Sequence, residues 1–180
     1  MATSGPKFAT VAATVEGTGL VDWTNPNNAK AQDDVSATAT LNSGAGTPSF
    51  ELRLSGYNFD IPATATIVGI TATIRRTCSV ASTVKDIIVG LIRAGVVEAT
   101  NKGVATSWPS PTLTDRAYGS STDLWSAAWT PSDVNDSGFG VRLQARSSSG
   151  TPSEASVDSI SITVDYTVPA SSLPTDGKSW

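Results

Sequence analysis

Residues 159–166, SISITVDY, put Ile160, Ile162, Val164 and Tyr166 on one side of the chain and Ser159, Ser161, Thr163 and Asp165 on the other. A side-chain period of two belongs to an extended strand with one face buried and one face wet. The same period recurs at 50–54 (Phe50, Leu52, Leu54) and at 66–76 (Val68, Ile70, Ala72, Ile74). It recurs again at 138–146, with Phe139, Val141, Leu143 and Ala145 against Arg142, Gln144 and Arg146. No window of a dozen residues carries the 3.6-residue period of a helix. Ser and Thr make up 48 of the 180 residues, alongside 15 Gly and 10 Pro, so the composition supplies pleated surfaces and corners.

The run DIIVGLI, residues 86–92, is continuously apolar and reads as a central strand covered on both faces. Weaker candidates at 8–15, 34–41 and 112–118 bring the total to about eight strands. Clean alternation in strands separated by turn residues predicts an all-β fold, an antiparallel β-sandwich, with a jelly roll as the expected topology. Short helical turns sit in the loops. The expected organisation is one domain over 1–166, with residues 1–7 as an N-terminal arm and 167–180 as an extended C-terminal tail. At 180 residues the chain can bury about 70% of its unfolded surface.

Composition excludes several classes of function. Net charge is −4 with no basic run longer than Arg75-Arg76, which argues against nucleic acid. No apolar stretch approaches the roughly 20 residues that span a bilayer, so no membrane partner is expected. The N-terminus does not read as a signal peptide. The chain has no histidine, which removes the commonest general base and the usual transition-metal ligand. With Cys78 as the one cysteine, no internal disulfide and no cysteine-based metal cluster can form. Cys78 reads as a small, half-buried side chain. No cofactor and no enzyme activity are expected.

Two stretches imitate chemistry. Asp133, Asn135 and Ser137 stand at alternate places before Gly138, as in the opening of a calcium loop. The twelfth place, however, is Gln144 where a bidentate Glu is needed, and strand alternation begins at Phe139. The stretch reads better as one helical turn capped by Thr130, with Pro131 first and Asp133 near its positive end. At WTNPNNAKAQDD, residues 23–34, Asn25 is the expected cap, Pro26 opens a short turn and Ala29 tucks inward. Asp33 and Asp34 form an acidic pair that could hold a cation or serve as half of a glycosidase's carboxylates; a solvated strand entry is the preferred reading.

The five tryptophans all lie outside the alternating strands. Trp23, Trp125 and Trp129 read as plugs that close the sandwich. Trp108, in the proline-bounded SWPSP, reads as exposed and is the candidate for contact. Leu173 and Trp180 are the apolar anchors of the tail, which is expected to dock on a neighbouring subunit.

The segments DWTNPNNAKAQDD, LRLSGYNFDIPATATIVGITATIRR, WTPSDVNDSGFGVRLQA and VDSISITVDY resemble β-rich proteins encoded among the structural genes of tailed bacteriophages and prophages. The phrases F-D-I-P-A-x-A-x-I-x-G-I at 59–70 and T-P-x-D-V-N at 130–135 carry the resemblance; they are framework residues without catalytic groups. It implies a virion component made in the bacterial cytoplasm. A head decoration, or cement, protein on the outer capsid surface is the first reading, with the major capsid protein and further copies of itself, expected as a homotrimer, as partners. The alternative is a receptor- or carbohydrate-binding module of a tail fibre, baseplate or head fibre, with Trp108, Tyr118 and Trp125 as stacking platforms.

Overall fold

The computed structural model describes residues 1–42 and 46–170. Ten strands build two antiparallel sheets: β1 (Ala2–Phe8), β2 (Val11–Val15), β3 (Ala37–Leu41), β4 (Glu51–Ser55), β5 (Thr66–Cys78), β6 (Val84–Arg93), β7 (Val96–Val97), β8 (Thr114–Ser120), β9 (Gly140–Ser147) and β10 (Ser153–Thr167). In the first sheet the order is β1-β10-β5-β8, and β3 lies on the same edge of β10 as β1. The order in the second is β2-β4-β9-β6-β7.

Without β1 and β2, the orders become 3-10-5-8 and 4-9-6-7. Every connection then crosses between sheets except the β6–β7 hairpin. That is the jelly-roll order, as the alternation led us to expect. The inner faces hold Ile70, Ala72 and Ile74 of β5, Val141, Leu143 and Ala145 of β9, and Ile160, Ile162 and Val164 of β10, each fully buried. Among the described residues no helix is long and apolar enough to cross a membrane.

The structure departs from the period-two reading where the register slips. Residues 1–7 are not an arm, because Ala2–Phe8 adds to β10 as an edge strand. The weak candidate at 8–15 is therefore the junction of two strands in different sheets, with the chain turning at Ala9 and Thr10. A slip opposite Asp165 and Tyr166 puts Ile67 in the core in place of Val68. A second slip between Asp86 and Ile88 shifts the phase of β6, so Asp86 faces the core before it and Val89 and Leu91 after it. This, and not burial on both faces of a central strand, is why DIIVGLI shows no alternation.

Candidate functional site

At one end of the sandwich a polar cluster joins the two sheets. Along β5 the inward phase of Ile70, Ala72 and Ile74 continues to Arg76, whose side chain is 3% exposed. Opposite, the slip in β6 points Asp86 inward, fully buried, and the two form an ion pair. Trp108 Nε1 donates to Asp86 Oδ1 at 2.7 Å. Tyr118 OH and the Val104 amide donate to Oδ2 at 2.7 and 3.0 Å. The carboxylate thus has four donors. Arg76 lies against the rings of Trp108 and Tyr118, 4.7 and 5.5 Å from their centroids. Burial, ahead of the neighbouring charges, pushes the Tyr118 hydroxyl above its ordinary range, so it stays a donor.

Over the cluster lies a shallow groove of about 210 Å³ bordered by Arg76, Ser107, Pro109, Asp115 and Arg116. Its volume is below the 300–1,000 Å³ typical of small-molecule sites. Each oxygen of Asp86 accepts from two protein donors. The arrangement is chemically a clasp: one charge from each sheet, aromatic walls and hydrogen bonds in a dry place.

Trp108 therefore differs from its expected role. It is 2% exposed and cannot act as an exposed contact residue. The loop that carries it runs back along β6, with Glu98, Lys102 and Trp108 amides donating to Leu91, Val89 and Val84 carbonyls. The carbonyl of Pro109, the next residue, accepts from the Cys78 amide at 2.9 Å, which ties the loop to the end of β5. Tyr118 and Trp125, the other expected stacking platforms, are also buried. Leu173 and Trp180 lie outside the described residues.

Trp23, Trp125 and Trp129 are buried as plugs, and each indole N–H finds a backbone carbonyl, on Phe50, Ile70 and Leu124 respectively. Cys78 is fully buried, beyond the half-burial expected of it, and that burial raises its thiol above the ordinary range.

The calcium-like stretch is a turn. Helix α1 (Pro131–Asn135) is capped by Thr130, and Thr130 and Asp133 hold each other's backbone amides in a capping box. Asp133 also pairs with Arg93 at 3.1 Å. Asn135 clamps both backbone groups of Ile61 at 2.9 Å, tying the turn to the FDIP corner. Asp133 Oδ2 and Asn135 Oδ1 are thus engaged by protein donors. Asn25 occupies the cap of the 3-10 turn at Pro26–Ala29, but with left-handed backbone and no side-chain cap bond. Ala29 is buried as expected.

Asp33 and Asp34 serve structure as well. Asp33 Oδ1 accepts from the Val35 amide at 3.1 Å, and Asp34 pairs with Arg75 at 3.0 Å. Arg75 also reaches Asp115 and Asp158. Asp158 is wholly buried at a slip in β10, and burial, its largest influence, raises its carboxyl above the usual range.

Two signals for the clasp were present in the sequence: Arg76 sits in the inward phase of β5, and Asp86 opens an apolar strand. That they meet depends on the slip in β6, which has no sequence signature.

No family model matches the chain, and no curated protein matches it. Among solved structures, it is similar to the second N-terminal cellulose-binding domain of β-1,4-glucanase C from Cellulomonas fimi, with a TM-score of 0.44 and 16% identity over 92% of this chain and all of that one. A likeness this loose carries no function across.

Proposed function

We propose that this chain is a phage virion structural protein, a head decoration or cement protein that binds the outer capsid surface and stabilises the shell. The observation that supports it most is how the side chains are distributed. Among the described residues no aromatic side chain is exposed, and the Arg76–Asp86 pair is locked inside. The surface instead offers single apolar side chains on loops and edges: Leu20 at 76% exposure, Val96 at 70% and Val35 at 52%. A body of this kind adheres by many small contacts, which a symmetric lattice multiplies. An acidic protein, pI about 4.7, suits the outside of a shell filled with DNA. Binding only to the assembled shell stabilises it by mass action.

The carbohydrate-binding alternative depends on exposed rings, and Trp108, Tyr118 and Trp125 are all buried. The test is to add purified protein to capsids that lack it, count bound copies on a calibrated gel, and heat the particles. Hundreds of copies and a raised melting temperature are expected. A handful of copies, or none, overturns the proposal.

A further inference from the structure

The sheet edges of this molecule are not treated alike. An open edge invites pairing with another chain, and proteins blunt it with charge, proline, bulges or a covering segment. β1 carries Pro6 and Lys7 and breaks register between Ser4 and Lys7. β3 is covered by Thr24, which exchanges bonds of 2.7 and 3.1 Å with Thr38. Asp115 and Arg116 guard β8, and β7 is only two residues long. β2 has none of these devices in its own residues, and the 3-10 turn at Pro26–Ala29 packs beside it with no strand bridge to it among the described residues. Its sequence, Val-Ala-Ala-Thr-Val, has no charge and no proline, and it pairs with β4 without a slip.

The phase of β2 identifies its free groups. The Thr10 amide donates to the Gly56 carbonyl at 3.2 Å, in line with the pairing of Val11 with Ser55. Hydrogen-bonded pairs alternate in an antiparallel ladder, so Ala12 and Thr14 bond to β4. The backbone groups of Val11, Ala13 and Val15 then point away from the sheet, and among the described residues no other strand or bridge takes them.

We propose that β2 is a self-pairing edge, at which a second copy of this chain adds its own β2 antiparallel about a two-fold axis through Ala13. In that register Val11 meets the partner's Val15, and all three free residues of each copy are used, giving six backbone bonds. Val11, 54% exposed alone, gains an apolar cross-strand neighbour. Charge selects a second copy over other occupants. One step beyond Val15, Glu16 is exposed and has no ion pair among the described residues. In the same register it stands opposite the partner's Thr10. Lys30 Nζ sits 3.3 Å from the Thr10 carbonyl oxygen, so each Glu16 faces the partner's Lys30. The symmetry makes this contact twice.

The contact is far smaller than the roughly 1,200–2,000 Å² of stable interfaces, so the pairing is weak and concentration-dependent. It closes at two copies where the resemblance suggests three, and it stands apart from the capsid proposal. Sedimentation of the purified full chain from about 10 μM to about 1 mM tests it. The average mass should climb from 18.5 kDa towards twice that value. Ala13→Pro removes an amide that β4 does not use and should weaken dimerisation at least tenfold. Should that variant unfold by circular dichroism, Glu16→Lys gives the same test from the surface, and Glu16→Lys with Lys30→Glu should restore the dimer. Amide exchange at Val11, Ala13 and Val15 should slow with concentration, while Ala12 and Thr14 stay protected throughout. A constant monomer mass, or an assembly indifferent to both Ala13→Pro and Glu16→Lys, overturns the proposal.

Discussion

Asp86→Ala should be among the most damaging single changes in this molecule. The substitution removes a carboxylate with no solvent exposure and strands the Arg76 guanidinium, itself 3% exposed. Breaking a buried pair from one side costs about 3–5 kcal/mol, because the remaining charge is left without compensation. For a domain of this size that corresponds to a fall of roughly 6–20 °C in melting temperature. Arg76→Met should cost less, on the order of 1–3 kcal/mol. The carboxylate it leaves behind keeps donors from Trp108, Tyr118 and Val104, whereas Arg76 Nε has no acceptor even in the intact protein. Combining Arg76→Met with Asp86→Ala should cost at least ~1 kcal/mol less than the sum of the single changes, since the partners are in contact. Urea unfolding followed by tryptophan fluorescence gives all the values, with Trp108 reporting from within the cluster. The reasoning fails if Asp86→Ala costs under about 1 kcal/mol, if Arg76→Met is the worse change, or if the two changes add.

Gly119→Ala should destabilise by more than about 1 kcal/mol, because φ is +79° and a Cβ there would lie 2.2 Å from the Ile70 carbonyl oxygen and 2.6 Å from Trp125 Nε1; thermal melts check it. Thr130→Ala should cost about 1 kcal/mol through the lost cap of α1 and leave the sheets unchanged by circular dichroism. Acid sensitivity should be partly due to Asp123, held below the usual carboxylate range chiefly by its bond to the Lys102 ammonium. The stability it adds is present above its unfolded value, near 3.9, and is lost as pH falls towards the folded one. Asp123→Asn should therefore narrow the difference between urea midpoints at pH 7 and pH 3. On the capsid, Leu20→Ser and Val96→Ser should reduce bound copies without moving the melting temperature of the free protein, as both side chains are exposed.

Period-two patterning determined the fold class and most inner faces. It holds for the inner residues of β9, where Val141, Leu143 and Ala145 are all fully buried, while Gln144, from the outer phase, is buried too and donates to the Ser49 carbonyl. Local chemistry also determined the turn at Thr130 and the inward tuck of Ala29, since caps and prolines act over a few residues. What sequence could not decide were events set by partners far away in the chain. The slip in β6 aims Asp86 at Arg76, the pairing of Ala2–Phe8 with β10 turns an expected arm into a strand, and the loop bonded along β6 buries Trp108. Each requires knowing which strand lies alongside, and neither periodicity nor turn propensity contains that. The same physics separates the open edge of β2 from the guarded edges: its residues are plain in sequence, and only their place at the end of a sheet leaves them unpaired.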